Sequence, residues 1–201
     1  REDFIGNVSH ELRTPISVIK ANSETLLSTK LIKDENAINF TKAIQSQSER
    51  MATIVNELLS ISSMESGDYP ISLDKLNIKN IVDSAIKELN PTTELSNIKL
   101  VNKISDVTHI IGDESAIKII ISNYITNAIK HSPDDEIIEI DIEKIDKDFC
   151  RIKVIDNGIG IAKKYRERVF ERFFRVDKGR SKKIGGTGLG LSISKNLALM
   201  M

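Results

Sequence analysis

Cysteine is all but absent from this chain. Cys150 stands alone in 201 residues, so no intrachain disulfide can form, and a reducing compartment fits. A net charge is missing too: 29 Lys and Arg balance 29 Asp and Glu. Nothing in that balance directs the chain to nucleic acid or to an anionic membrane surface. No apolar run approaches the length needed to cross a bilayer, and no signal-peptide pattern is expected from these residues. Internal repeats and low-complexity segments are lacking as well. What remains, 40% apolar and 29% charged residues, is the composition of a soluble globular protein long enough for one large domain or two small ones.

The first informative stretch runs from Phe4 to Pro15. His10 and Thr14 are four apart and share a face of a helix. Glu11 sits about 100° round, within reach of the ring. Phe4, Val8 and Leu12 recur at helical spacing, and Pro15 predicts a bend just past the histidine. An imidazole beside a carboxylate suits phosphoryl transfer to the ring. One nitrogen attacks phosphorus while Glu11 accepts the proton of the other. Thr14 is placed to hold a water in line with a phosphorus on His10, which serves the reverse, hydrolytic reaction. A lone His-Glu pair on a helix more often reads as an ordinary surface histidine.

Periodicity divides the rest. Arg1 to about Ser28 reads as one helix, Thr29 to Asp34 as a connection, and Glu35 to Ser66 as a second helix. Phe40, Ile44, Met51, Ile54, Val55, Leu58 and Ile61 form its apolar stripe. Two such helices cannot bury two stripes by themselves, which predicts a homodimer closing a four-helix bundle. Ser66-Gly67-Asp68-Tyr69-Pro70 breaks the pattern, giving domains over 1–66 and 71–201 with a linker at 67–70. Beyond it, strands are expected at Ile71–Leu76, Ile98–Ile104, Val107–Ile111, Glu136–Ile145 and Phe149–Ile155, the last two a hairpin. Helices are expected at Ile78–Leu95, Glu114–Lys130 and from Leu189 to the end. The class is α+β: a helical hairpin followed by an α/β sandwich, a mixed sheet with helices on one face.

Three further blocks carry polar chemistry. Asn123 and Asn127 lie four apart on a helix with Lys130 and His131 beyond, opposite Ile117, Ile121, Ile125 and Ala128. Amide oxygens are hard ligands suited to Mg²⁺, and Lys130 neutralises phosphate; taken alone, two asparagines also read as a solvated face. Asp156, Gly158 and Gly160 follow a strand directly, where a carboxylate can accept from an exocyclic amine while the backbone approaches a flat ring. An ordinary Asp-Gly turn has the same letters. Gly185-Gly186-Thr187-Gly188-Leu189-Gly190 enters the last helix, bringing backbone N–H groups and a helix N-terminus toward phosphate oxygens. No Lys-Ser or Lys-Thr follows, so it is not a Walker A loop, and no strand leads in, so it is not a dinucleotide fingerprint. Between these blocks, Val169 to Arg175 and the basic run Lys178 to Lys183 read as a lid. Phe170 is its apolar anchor, and Arg172 and Arg175 are its candidates to reach phosphates.

The stretch around His10 resembles the H box of sensor histidine kinases. The later blocks, in order, resemble the N box, first glycine box, phenylalanine box and second glycine box of their ATP-binding domain, the Bergerat fold of the GHKL ATPases. The resemblance covers the whole chain. It implies His10 as phosphoacceptor, Glu11 as base and Thr14 as part of a phosphatase element. It implies ATP and Mg²⁺ as cofactors, with Asn127 holding the metal. Asn123, Lys130, His131, Gly158, Gly160, Gly186, Thr187, Gly188, Leu189 and Gly190 line the nucleotide, and Asp156 reads the adenine amino group. It further implies a homodimer, phosphotransfer to the receiver domain of a response regulator, and a full-length protein anchored in the bacterial cell membrane through segments absent here. Arg1 already lies inside a helical pattern and no stop signal follows Leu199, so an excised cytoplasmic fragment is expected. GHKL enzymes that hydrolyse ATP carry a glutamate where Asn123 stands, which favours transfer over hydrolysis. The family's catalytic domain normally continues into further strands after the last helix, so a C-terminally truncated ATP-binding domain is expected over 71–201. A GHKL-type ATPase and a non-catalytic docking scaffold are the alternative readings. His109, in a short apolar strand, is expected to be structural.

Overall fold

The computed structural model describes residues 2–28, 34–93, 97–105, 108–147, 149–176 and 186–201; the side chains of 2–7, 9, 10, 27, 28 and 34–36 fall outside that description. The chain forms two compact units, Arg1–Gly67 and Asp68–Met201. The first is a hairpin of α1 (Glu2–Ser28) packed on α2 (Asp34–Ser66); the connection at 29–33 lies outside the described residues. Helix α1 runs on through Pro15, whose ring is fully buried. On α2, Ile54 and Ile61, two turns apart, are buried, while Val55 and Leu59 are 43% and 63% exposed. The apolar stripe is therefore wider than the single-hairpin contact. None of the helices is long and apolar enough to cross a membrane among the described residues.

The second unit contains β1 (Asp74–Asn77), α3 (Ile78–Thr93), β2 (Lys99–Asn102), β3 (His109–Gly112), α4 (Glu114–His131), β4 (Ile137–Lys144), β5 (Cys150–Ile155), two short 3-10 turns at Lys163–Tyr165 and Arg168–Phe170, and α5 (Gly190–Met200). Strand β1 pairs antiparallel with β3. In the larger sheet β2 runs parallel to β4, and β4 antiparallel to β5, with Glu139 opposite Ile155 and Lys144 opposite Cys150. The larger sheet is therefore mixed, as expected for the fold class. Ile138 and Ile140 project from one face of β4 and are fully buried. Ile140 joins Ile78, Ile81, Val82 and Ala85 of α3 and Ile117, Ile121 and Ile125 of α4 in one core. Helix α5 then packs on α4.

The start of α4 is fixed by Asp113. Its Oδ1 accepts from the Ala116 N–H at 2.8 Å, the geometry of an N-cap. Its Oδ2 accepts from the Ser72 N–H at 2.9 Å, tying the segment that leads into β1 to the same helix end. These two donors, Ser72 first, hold the Asp113 carboxyl below its ordinary value of 3.8. A depressed carboxyl contributes stability that is complete above that value and is lost as pH falls through the lower folded one. Asp113→Ala is expected to lower unfolding free energy by about 1–2 kcal/mol at neutral pH, with the gap to wild type shrinking toward about pH 3. Urea titrations at the two pH values check this, and a gap unchanged by pH contradicts it.

Candidate active site

The α1 residues come first. His10 lies in the first half of α1; its imidazole lies outside the described side chains. Glu11 is held from the other helix, its Oε2 3.1 Å from Nη2 of Arg50 on α2. Both side chains are about three-quarters shielded, at 22% and 26% exposure, which makes this pair less screened than a surface ion pair. Thr14, one turn beyond His10, is exposed. Sequence reasoning missed Arg50, because nothing local links it to a residue 39 positions earlier.

In the second unit, α4 has two distinct faces. Ile117, Ile121, Ile125 and Ala128 are buried, while Asn123, Asn127 and Lys130 are half-buried and His131 is exposed. The helix ends where β5 delivers its turn. Asp156 Oδ1 accepts from the Gly158 N–H at 2.8 Å, and the His131 carbonyl accepts from the Ile159 N–H at 3.4 Å. A Cβ on Gly158 would stand 2.7 Å from both Asp156 Oδ1 and the His131 carbonyl oxygen. Only glycine fits this approach. Gly160 adopts a φ of 67°, in the left-handed region that glycine enters without steric cost. Partial burial and then the Lys130 charge push the His131 imidazole below its ordinary value, against an opposing pull from Asp156.

The second glycine segment comes back to the same end of α4. The approach to α5 runs through Gly186, at φ 134°, and Gly188, at φ 75°. Gly188 O accepts from the Phe173 N–H at 2.9 Å, and a Cβ on Gly188 would lie 3.0 Å from the Phe173 backbone. A Cβ on Gly186 would lie 3.7 Å from Nζ of Lys130. The Thr187 hydroxyl oxygen accepts from the Leu189 N–H at 3.2 Å, and the Leu189 side chain is fully buried. Gly190 opens α5 and its carbonyl accepts from the Asn123 amide at 3.0 Å. Lys130, His131, Asp156, Gly158, Gly186 and Gly190 are thereby drawn around one helix, close to the N-terminus of α5, a position that favours an anion. Gly185 lies outside the described residues.

The lid segment is partly described. Phe170 is half-buried and, with Ile120, Tyr124 and Leu199, lines an open cavity of about 580 Å³. Arg168 stacks 4.3 Å from the Phe174 ring centroid and pairs with Glu171. Arg172 and Arg175 are half-buried just after the second 3-10 turn. The basic run Lys178 to Lys183 lies outside the described residues. His109 sits exposed on β3 opposite Asn77.

The donor set suits a nucleotide held with a divalent cation. Among the described residues no group of three or more His, Cys, Asp or Glu side chains is arranged to cage a metal. The carboxamide oxygens of Asn123 and Asn127 are neutral hard donors that complete a coordination shell only together with phosphate oxygens and water, the usual mode for Mg²⁺.

Known proteins share both halves. The model of the His Kinase A (phospho-acceptor) domain matches residues 1–67. The model of the histidine kinase-, DNA gyrase B-, and HSP90-like ATPase matches residues 112–201. The chain is 37% identical over 199 residues to the sensor-like histidine kinase SenX3 of Mycolicibacterium smegmatis, covering 98% of this chain and 51% of SenX3. It is 36% identical to the sensor histidine kinase WalK of Bacillus subtilis, covering 98% of this chain and 32% of WalK. The chain therefore spans about half, or less, of the length of these relatives. Among solved structures, the histidine kinase AdeS of Acinetobacter baumannii shares the fold, with a TM-score of 0.77 at 22% identity over 96% of this chain and 87% of AdeS. ShkA, solved full-length in complex with AMPPNP, superposes with a TM-score of 0.70 at 26% identity over 99% of this chain and 41% of ShkA. With the phospho-acceptor match containing His10 and the ATPase match containing the α4 site and both glycine segments, the chain belongs to the sensor histidine kinases.

Proposed function

We propose that the chain autophosphorylates on His10 with ATP and passes the phosphoryl group to an aspartate of a response-regulator receiver domain. The observation that carries this reading is the pairing, in one chain, of the His10-Glu11 helix with the site assembled at the end of α4. Residues 1–66 serve dimerisation and phosphotransfer, 71–201 bind ATP, and 67–70 join them. Exposed Ile16 on α1 and exposed Ile38, Val55 and Leu59 on α2 supply apolar surface for a second copy of the hairpin.

A bound Mg-nucleotide supplies an electrophilic γ-phosphorus. The rest is the work of the chain. A His10 ring nitrogen forms the N–P bond as the bridging P–O bond to ADP breaks, and Glu11 takes the proton of the other nitrogen. Asn127, with Asn123, holds the cation. Lys130 and the backbone amides around Gly186 and Gly188 neutralise phosphate charge. Asp156, through the oxygen not donated to by Gly158, accepts the adenine amino group. His131 lines the same end of the helix, and Arg172 and Arg175 close over the phosphates from the lid. ShkA was solved with AMPPNP, and a ThkA structure with 0.70 TM-score to this chain was solved in complex with response regulator protein TrrA. Both agree with nucleotide binding and regulator docking here.

Hydrolysis without a phosphoenzyme is the second reading. At position 123 the amide N–H groups are donated to α5, and no carboxylate stands there to activate water.

Incubation with γ-labelled ATP and Mg²⁺ tests the proposal. Acid-labile, base-stable label is expected on the wild type and none on His10→Gln. Phosphate release at equal rates in both, with no protein label, would establish the ATPase reading instead. Thr14→Ala is expected to slow dephosphorylation of a phosphorylated regulator by about 10-fold or more while leaving autophosphorylation within about two-fold. Equal loss of both activities would remove Thr14 from a phosphatase role.

A further inference from the structure

Asn123 is tied to α5 by more than one bond. Its Nδ2 donates to Gly190 O at 3.0 Å and to Ser194 Oγ at 3.1 Å. The Ser194 hydroxyl in turn donates to Gly190 O at 3.0 Å, one turn back along its own helix. A backbone carbonyl only accepts, so the atom of Asn123 that faces Gly190 O is the nitrogen, and the amide orientation follows from chemistry. Both N–H groups of the amide are then spent inside the protein.

The remaining atom is Oδ1. Among the described residues it accepts no hydrogen bond, and it stands 3.1 Å from where a Cβ on Gly190 would lie. An amide oriented this way has nothing to donate to a phosphate oxygen. It offers one carbonyl oxygen, which suits a divalent cation or the water bound to one. Ser194 is 2% exposed, so water cannot readily replace its hydroxyl. Removing that hydroxyl leaves one amide N–H with no buried acceptor and releases the constraint on rotation of the carboxamide.

We propose that Ser194 is a positioning residue for the metal–nucleotide: its hydroxyl fixes the Asn123 carboxamide with Oδ1 as the oxygen offered to the cation. This rests on the nucleotide-binding reading of the α4 site. Residues that orient metal ligands in this way typically change metal affinity by about 10–100-fold when altered.

The test is binding of ATP to the full chain by calorimetry, across a Mg²⁺ titration and in EDTA, for wild type and for Ser194→Ala, Ser194→Thr and Ser194→Val. Thr and Val share a shape and differ in the hydroxyl, and Thr keeps the bond to the carbonyl four residues back. In Ala and Val, the Mg²⁺ concentration giving half-maximal ATP binding is expected to rise about 10-fold. Thr should match the wild type, and binding in EDTA should be the same in all chains that fold. If Val does not fold, Ala against Thr gives the same comparison. Thr behaving like Ala, or Ala weakening binding equally with and without Mg²⁺, would overturn the inference and leave Ser194 a packing residue. A wild type that binds no ATP under any condition would overturn the nucleotide reading itself, and the inference with it.

Discussion

Burial of one face of α4 against the sheet fixes where the polar groups of the candidate site lie. Ile117, Ile121 and Ile125 are buried with Ile140 of β4, and each contributes about 1.5–3 kcal/mol relative to an exposed side chain. A hydrogen bond at the outer face contributes about 0.5–1.5 kcal/mol. The apolar face therefore decides the rotation of the helix, and the polar groups take the positions it leaves. Asn123, Asn127 and Lys130 follow on the outer side. The C-terminal end of α4 meets the turn after β5, and the glycine segment before α5 passes beside Lys130. Glycine is required wherever these backbones touch, at Gly158 against His131 and at Gly188 against Phe173.

The phosphoacceptor unit depends on a different contact. There α1 and α2 pack as a hairpin around Ile54, Ile61 and Pro15, all fully buried. Glu11 is reached across that packing by Arg50, so the carboxylate beside His10 is oriented by the second helix. The placement of the Glu11 carboxylate is therefore sensitive to any sliding of the two helices.

Much of this was legible before the structure, for reasons that differ by element. The alternation Ile-Glu-Ile-Asp-Ile-Glu marks β4, and its antiparallel partner appears where expected, across Asp146 and Lys147. Helix α4 was expected at Glu114–Lys130 and ends at His131, because one face is almost purely apolar. Strand ends were less legible because side chains intercept the backbone. Strand β1 begins at Asp74 and not Ile71, since the Ser72 N–H donates to Asp113. Strand β2 stops at Asn102, whose own side chain accepts from the Ile104 N–H, short of the expected Ile104. At the candidate site, Asn127, Asp156 and the glycines could be singled out because each belongs to a short local pattern. Arg50 and Ser194 were not, since their partners Glu11 and Asn123 lie 39 and 71 residues away.

If nucleotide binding belongs to α4 and its surroundings and acceptance of phosphate to α1, single substitutions separate the two. Equilibrium binding of Mg-ATP to Asn127→Ala and to His10→Gln tests this most directly. Asn127→Ala is expected to weaken Mg-ATP binding by about 10-fold or more, while His10→Gln binds as the wild type does. Unchanged binding in Asn127→Ala, or an equal loss in His10→Gln, would contradict it.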